Sequence, residues 1–245
     1  NGYERDDEKP LAWKYRDYVI RAFNQDKPYN RFVLEQIAGD ELPDVDNDSL
    51  IATGFYRLGV WDDEPDDKRL AEFDGLDDIV KTTSETFMGL TVGCARCHDH
   101  MFDPISQQDY YQMLSFFRNV RYYDKPKYEW DSATYSPLIP PREVFNWKNK
   151  KNKQKNAKPP WDGHEFAMTV REHGPIAKDT HLLIRGNAGR PSKKVEPEFL
   201  KILASSKPKI PKSPNPFTTG RRLALAKWIT NSQHPLTSRV MINRI

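Results

Sequence analysis

The chain has little cysteine and no long apolar run, and these absences exclude several classes of protein. Only 2 of its 245 residues are cysteine, so a disulfide-rich scaffold is excluded. No stretch of about 18 or more apolar residues occurs, and we therefore expect no membrane span in this segment. A P-loop, a dinucleotide fingerprint and a G-x-S-x-G elbow are also missing. Common phosphoryl-transfer, nicotinamide and hydrolytic chemistries therefore have no support.

The composition is typical of a loop-rich globular protein. Hydrophobic residues make up 37% of the chain and charged residues 30%, with 19 prolines. The net charge of only +3 hides an acidic stretch at 62–78 and a basic stretch at 142–158. Because the chain is nearly neutral and has no recognised nucleic-acid module, we expect no nucleic acid as partner. The sequence starts without Met and stops within a helix-like pattern, so we expect a fragment of a longer polypeptide, with any export signal upstream.

Apolar residues recur at helical spacing in five places. Pro10 suits the first turn of the first helix, while Asn30 can cap the second and Gly39 can end it. Ser106 and Asp109 resemble a capping box before the fourth helix. The residues that carry the five patterns are Leu11, Tyr15, Tyr18, Val19, Ala22 and Phe23, then Phe32, Val33 and Ile37, then Leu76, Ile79, Val80, Thr83 and Phe87, then Tyr110, Met113, Leu114 and Phe117, and finally Leu225, Trp228 and Ile229. We therefore predict a mainly α fold, α+β overall, with long irregular loops.

The second half of the chain predicts less regular structure. From 123 to 160 the periodicity fails, prolines cluster and a lysine-rich run follows, so we interpret this stretch as a linker or an exposed insertion. Alternation at 166–170 and near 181–184 predicts a small β element. We divide the chain into a helical domain at 1–122, a proline- and lysine-rich linker or insertion at 123–160, a small β segment at 161–206, and a linker with the truncated start of a C-terminal helical domain at 207–245.

Both cysteines of the chain belong to one short motif. Cys94 and Cys97 are three positions apart and His98 follows directly, which is the C-x-x-C-H pattern of c-type haem attachment. Each thiol can add to one of the two vinyl groups of a haem, and the next imidazole can then bind the iron from one side. The sequence therefore predicts one covalent haem c held by the two cysteines, with His98 as the proximal axial iron ligand.

Other interpretations of the two cysteines stay open. They could form a redox-active C-x-x-C pair or a structural disulfide, or they could be two buried free thiols. A thioredoxin-like site would need a βαβ context, whereas a helical pattern leads into this motif. Zinc is the main rival metal, because the motif and His100 together offer four ligands of the kind that zinc accepts. Four ligands within seven residues would nevertheless be cramped.

The ligand on the second side of the iron separates two classes of function. A filled sixth position favours electron transfer, whereas an open one permits binding or activation of small molecules. His100 and Met101 follow His98 too closely to reach the opposite haem face easily, although His100 could hydrogen-bond a haem propionate. The more distant candidates are Met88, Met113, His164, His173, His181 and His234.

The region 93–105 (GCARCHDHMFDPI), continuing to 109–111, is the longest stretch of the chain with a recognisable pattern. It resembles part of a cytochrome-c-like domain of planctomycetes and related bacteria. Further matches lie at 1–4, 15–20, 38–40, 52–55 and 82–84. Together these matches cover roughly the first half of the chain. Met101 stands where a lysine is more frequent in such proteins, which leaves haem attachment untouched but makes a local methionine ligand harder to dismiss.

The second half resembles further parts of the same proteins. In such proteins a first cytochrome-like domain, this second domain and a C-terminal domain of unknown function lie on one long exported chain. Residues 179–186 (DTHLLIRG) resemble a short segment between the last two domains, which makes His181 the predicted distal iron ligand. Residues 220–244 are similar to the opening of the C-terminal domain.

The resemblance implies an exported cytochrome, in the periplasm or at the cell surface, and supplies no substrate. We therefore expect a helical c-type haem domain that transfers electrons to other redox proteins or haem domains, including any on the same longer polypeptide. The alternatives are a peroxidase- or oxygenase-like haem enzyme with an open sixth iron position, and a structural component of an extracellular assembly. The acidic run 62–67 could bind calcium, but a solvated loop is favoured because its spacing matches no known calcium loop.

Overall fold

The structure, a computed structural model, describes residues 9–59, 65–122, 134–151, 158–204 and 206–244. The α-helices in these ranges are α1 (Ala12–Asn24), α2 (Tyr29–Ala38), α3 (Asn47–Ala52), α4 (Lys68–Met88), α5 (Gln107–Leu114), α6 (Pro141–Lys151), α7 (Arg221–Ile229) and α8 (Thr237–Arg244). The strands are β1 (Tyr135–Pro137), β2 (Phe166–Met168), β3 (Thr180–Leu183) and β4 (Pro191–Val195). Short 3-10 helices lie at Gly39–Glu41, Thr53–Arg57, Val92–Arg96 and Ile184–Gly186.

The strands form two small antiparallel sheets in the second half of the chain. β1 pairs with β2, with Tyr135 opposite Met168, and β3 pairs with β4, with Thr180 opposite Val195. The predicted fold class, mainly α and α+β overall with a small β element, is confirmed. Among the residues that the structure describes, no helix combines the length and the apolar character needed to cross a membrane.

Side-chain caps and a glycine set the ends of the helices that flank the motif. The predicted capping box of Ser106 and Asp109 is confirmed at the start of α5, where each side chain accepts a hydrogen bond from the backbone N–H of the other residue. Asp67 caps α4 by accepting from two N–H groups of its first turn. Gly89 ends α4 with a φ of 67°, a left-handed conformation that glycine adopts without strain.

Helix α2 begins slightly earlier than the sequence predicts. Asn30, the predicted cap, lies inside the first turn, because Pro28 occupies the N-cap position and its fixed φ suits the entry into a helix. Gly39 follows the last residue of α2, as predicted, and the chain continues into a 3-10 helix. A β-carbon at Gly39 would lie only 1.9 Å from the carbonyl oxygen of Ser49, so only glycine lets α3 pack this closely.

One hydrophobic core contains residues from both halves of the chain. Leu76, Tyr110 and Phe117 of the first half are fully buried, and so are Leu225 and Ile229 of α7 in the same cluster. Burying an apolar side chain of this size stabilises the fold by about 2 kcal/mol. Residues on both sides of position 122 therefore contribute to this core, and the domain boundary there stays a prediction.

The stretch 123–160, which we interpreted as a linker or an exposed insertion, contains a packed helix. Val144 and Trp147 of α6 are buried, and the Trp147 and Trp161 rings meet edge to face with centroids 4.6 Å apart. The two buried residues are three positions apart on a lysine-rich helix, which gives α6 a narrow apolar side. Residues 141–151 of this stretch therefore form a helix, because these few apolar residues are enough to fix it against the protein.

A buried arginine ties α7 to the first half of the chain. The Arg222 guanidinium lies 2.7 and 2.9 Å from the two oxygens of Asp40, and its Nε lies 2.8 Å from Glu172 Oε1. Glu41 also faces Arg222, at 3.4 Å. All four side chains are almost completely shielded from solvent. The charges of this Arg222 cluster must therefore be compensated within the protein.

Candidate functional site

The C-x-x-C-H motif begins in the short 3-10 helix Val92–Arg96, between α4 and α5, and its Cys97 and His98 follow this helix. Residues three apart on a 3-10 helix point to the same side. Val92 and Ala95 are fully buried, so their side of this helix faces the core. Cys94 is exposed, and so is Cys97, which follows the helix with its backbone still in the right-handed helical region. The two sulfurs are free thiols on the outward side, so the alternative of two buried thiols is wrong.

Arg96, the second residue between the cysteines, fastens the motif to α4. Its guanidinium lies 2.6 Å from Asp74 Oδ1 and 3.4 Å from Asp77 Oδ2. The hydroxyl of Tyr110 donates a hydrogen bond to the other oxygen of Asp77 at 2.6 Å. Burial, with the nearby Asp77 carboxylate, raises the pKa of Tyr110 well above its ordinary value, so this hydroxyl stays protonated. Ion pairs and a hydrogen bond therefore connect the motif to α4, and through Asp77 to α5.

The start of α5 holds the backbone on both sides of His98. The carbonyl oxygen of Arg96 accepts hydrogen bonds from Gln107 Nε2 at 2.9 Å and from the Tyr111 hydroxyl at 3.1 Å. The backbone N–H of Gln107 donates to Asp99 Oδ1 at 2.7 Å. Three hydrogen bonds from one helix therefore fix the residues before Cys97 and after His98.

His98 is exposed, and its hydrogen bond defines which ring nitrogen is available. Its Nδ1 lies 2.6 Å from the backbone carbonyl oxygen of Asp99. A carbonyl oxygen can only accept, so Nδ1 carries the proton and Nε2 keeps its lone pair. A metal-binding histidine commonly has its second nitrogen held in this way. His98 thus leaves Nε2 available as a donor atom.

Both ring nitrogens of His100 form hydrogen bonds that close a loop. Its Nδ1 accepts hydrogen bonds from the backbone N–H of Asp103 at 2.8 Å and of Phe102 at 3.2 Å. Since Nδ1 accepts, Nε2 carries the proton and donates to Thr91 Oγ1 at 2.9 Å. Both nitrogens are therefore used in closing the loop 99–105. Among the residues that the structure describes, no group of three or more His, Cys, Asp or Glu side chains is arranged to hold a metal ion.

The other predicted ligands for a sixth iron position are spread over the fold. Met88 and Met113 are buried in the core, and Met101 has 76% of its surface exposed. His164 and His173 are exposed. His234 is buried, its Nδ1 lies 2.8 Å from Thr237 Oγ1, and burial lowers the pKa of its imidazole. Met88 and Met113, in the core, are therefore poorly placed to bind an iron at the exposed motif.

His181 belongs to a segment that does reach the motif. It lies half-buried on β3, opposite Lys194 of β4. Two residues further along, the carbonyl oxygen of Leu183 accepts a hydrogen bond from Gln107 Nε2 at 3.0 Å, the same amide group that binds Arg96. Gly186, at the end of the segment, packs against Cys97. The sequence could not show this contact, because 76 positions separate Gln107 from Leu183.

Two further features concern other parts of the chain. Asp62, Asp63 and Glu64 of the acidic run with possible calcium ligands lie outside the residues that the structure describes. A cavity of about 130 Å³ lies beside the Arg222 cluster, with the Asp40 and Glu172 carboxylates in its wall. Both carboxylates are already bound by Arg222, so this wall forms part of the structural cluster.

Comparison with known proteins gives one match. The family model PSCyt2, described as a protein of unknown function (DUF1549), matches residues 1–122. This range contains the C-x-x-C-H motif and both helices that flank it, α4 and α5. The matched range agrees with the extent of the resemblance found in the sequence. The family description assigns no activity and no cofactor, so haem attachment stays a prediction. No curated protein and no solved structure matches the chain.

Proposed function

We propose that this chain is a c-type cytochrome that binds one haem covalently and transfers electrons within an exported protein. The observation that carries this proposal is the exposure of Cys94, Cys97 and His98, the three residues of one C-x-x-C-H motif. Both sulfurs are exposed free thiols, and the Nδ1–H of His98 is engaged by a backbone carbonyl so that Nε2 can bind iron. These three residues fit a covalent haem.

Each residue of the motif has a separate task in this proposal. Cys94 and Cys97 hold the haem through thioether bonds, and His98 is its proximal ligand. Ala95 and Arg96 fix the position of the motif, because one is buried in the core and the other binds Asp74 and Asp77. The haem, when bound, supplies a one-electron redox centre whose potential depends on its axial ligands, its burial and the nearby charges. The partners are other redox proteins or haem domains.

A haem enzyme with an open sixth position is the second candidate. Met88 and Met113 are buried in the core, whereas His98 lies on the surface, so these two methionines are poorly placed to complete the coordination. His181 remains the predicted distal ligand, because its segment contacts the motif. If His181 does not bind the iron, the free position allows small molecules to bind there.

The test is a visible spectrum of the chain produced in a bacterial host that exports it and attaches haem. We expect a reduced-minus-oxidised spectrum of a c-type cytochrome, and haem that stays with the protein through acid-acetone extraction. Carbon monoxide added to the reduced protein separates the two candidates. An unchanged spectrum supports the six-coordinate electron carrier, and a shifted spectrum supports the enzyme with an open position.

Single variants assign the roles within the motif. Cys94→Ala and Cys97→Ala should each leave haem attached through one thioether, and the double variant should lose covalent haem. His98→Ala should lose the wild-type visible spectrum of the reduced protein, because the iron loses its proximal ligand. His164→Ala, at an exposed histidine outside the motif, should keep this spectrum. A wild-type chain that holds no covalent haem under these conditions would refute the proposal, and zinc analysis would then follow.

A further inference from the structure

The 3-10 turn Ile184–Gly186 lies directly against the second cysteine of the motif. A β-carbon at Gly186 would lie 2.7 Å from the Sγ atom of Cys97 and 3.4 Å from Cγ of Arg96. Carbon and sulfur atoms that are not bonded do not approach this closely, because interiors pack at van der Waals distances. Any side chain at position 186 would therefore push the Cys97 sulfur to another position.

The turn includes two consecutive residues in the left-handed backbone conformation. Gly186 has a φ of 69°, which suits glycine, but Arg185 also has a positive φ, of 53°. A left-handed conformation is costly for a residue with a β-carbon, and it persists only where the surroundings enforce it. Gln107 is one such restraint, since its side-chain amide donates to the carbonyl oxygens of both Leu183 and Arg96. One amide group thus joins the turn to the residue that precedes Cys97.

We propose that the turn Ile184–Gly186 is the wall that positions the Cys97 sulfur for thioether formation, with Gly186 as the positioning residue. This inference rests on the proposed function. In that reaction the Cys97 thiol adds across a vinyl double bond. A sulfur–carbon bond forms to one vinyl carbon, the thiol hydrogen passes to the other, and the double bond becomes single. Nothing is oxidised and no group leaves, so the position of the sulfur is the contribution that the wall makes.

The variant Gly186→Ala tests whether the turn positions the Cys97 sulfur. The added β-carbon should displace the Cys97 sulfur and leave Cys94 unaffected, so the product should carry haem through Cys94 alone. Mass spectrometry of the peptides shows which cysteine is bonded, and alkylation after unfolding detects a free Cys97 thiol. The pyridine haemochrome band gives an independent measure, because one thioether leaves it between the bands of haem with none and haem with two.

Gly163→Ala is the matched control. Gly163 has a φ of 83°, and among the described residues other than its two chain neighbours no atom lies within 4 Å of the position that its β-carbon would take. Alanine there imposes a similar backbone strain without any contact to the motif. This variant should therefore carry both thioethers, as the wild-type chain does. A general loss of stability cannot produce a difference between the two cysteines, so the bonding pattern separates positioning from a merely structural effect.

Gln107→Ala keeps the proposal testable if Gly186→Ala does not fold. Alanine suits the first turn of α5, and the change removes only the amide that joins the turn to Arg96. We expect the fraction of chains bonded at Cys97 to fall while bonding at Cys94 persists. Gln108→Ala is its control, because the neighbouring Gln108 side chain binds Lys193 instead.

The outcomes separate this inference from the proposed function. Two thioethers in Gly186→Ala, in the same fraction as in Gly163→Ala, would overturn the inference while the cytochrome stands. Loss of haem from both cysteines at once would also overturn it, because the contact concerns only Cys97. A wild-type chain without covalent haem would refute the proposed function, and this inference would fall with it.

Discussion

The carboxylate of Glu41 accepts a hydrogen bond at 2.7 Å from the backbone N–H of Leu223, a residue 182 positions further along the chain. Its other oxygen accepts from the N–H of Gly220 at 3.1 Å. These N–H groups lie at the start of α7, where the N-cap residue, Gly220, has no side chain to bind them. A residue of the family-matched region 1–122 thus caps a helix near the end of the chain.

Glu41 should make the stability of the fold depend on pH in an unusual direction. Burial raises its pKa to about 7, against the opposing effect of Arg222 and with further increases from Glu172 and Asp40. Between its ordinary pKa of 4.5 and that value, the folded chain keeps a proton that the unfolded chain has lost. The free energy of unfolding should therefore fall as pH rises through this window, with a contribution from Glu41 of up to about 3 kcal/mol.

Urea unfolding from pH 4 to pH 8 checks this prediction. Glu41→Gln removes the titrating group, so the decline with rising pH should become shallower, whatever the stability of the variant at a single pH. Glu143→Gln, at an exposed position on α6, is the control and should keep the wild-type slope. Equal slopes for the wild-type chain and Glu41→Gln would show that folding does not change the pKa of Glu41.

Arg222 should be among the most sensitive positions of the fold. Arg222→Met leaves the buried carboxylates of Asp40, Glu41 and Glu172 without their counter-charge. Removing one partner of a buried ion pair destabilises by about 3–5 kcal/mol, because the remaining charge is neither solvated nor paired. Urea unfolding at pH 7 measures the loss.

Arg16→Met gives the comparison for Arg222. Arg16 pairs with Asp17 on the exposed side of α1, at 2.8 Å, where solvent screens the pair. Its loss should change stability by about 0–1 kcal/mol. A second substitution, Glu172→Gln in the Arg222→Met background, should recover part of the stability, since it removes one of the unpaired carboxylates. If it recovers nothing, charge is not the cause of the loss.

The elements around the motif could be predicted because their signals are local. The capping box of Ser106 and Asp109 spans three residues, and the apolar positions of α4 repeat at helical spacing. The spacing of Cys94 and Cys97 places both sulfurs on one side of any tight helical turn. Such patterns need no knowledge of distant parts of the chain.

Long-range polar contacts could not be predicted in the same way. Arg222 looks like a surface residue in a helix start, and only the packing of α7 on α2 buries it. His100 has the residue type of a ligand, yet both of its ring nitrogens are engaged, Nδ1 by two backbone N–H groups and Nε2 by Thr91. Helix α6 was missed because its apolar side is only two residues wide, Val144 and Trp147, among many lysines.

Trp147 should hold α6 on the protein. Its ring packs edge to face on Trp161, and the side chain is buried. Large-to-small changes of a buried aromatic residue cost about 3–5 kcal/mol where the surroundings cannot collapse into the space. Trp147→Ala should therefore release α6, and trypsin should cleave after Lys148 and Lys150 faster than in the wild-type chain.

Asn146→Ala is the control for this cleavage, because Asn146 is exposed on the same helix and alanine favours a helix. Its cleavage rate at the two lysines should match that of the wild-type chain. If wild type, Trp147→Ala and Asn146→Ala are all cut equally fast, then α6 does not hold its lysines away from the protease, and the prediction for Trp147 is contradicted.

His100 should stabilise the loop beside the motif through hydrogen bonds alone. His100→Ala leaves the N–H groups of Asp103 and Phe102 and the hydroxyl of Thr91 without this partner, at a cost of about 1–3 kcal/mol. Amide hydrogen exchange at Asp103 should become faster.

A chelator separates this role of His100 from zinc binding. If the imidazole acts by closing the loop, a zinc chelator should leave amide exchange at Asp103 unchanged in the wild-type chain, because no metal holds the loop. If the imidazole is a zinc ligand, the chelator should speed exchange to the rate of His100→Ala, and zinc should slow it again. His164→Ala, at an exposed histidine outside the loop, should behave as wild type in both conditions. Chelator-sensitive exchange would contradict the hydrogen-bonding role and restore zinc as the rival of haem, since the Nδ1 of His100 can only accept from two backbone N–H groups if it binds no metal.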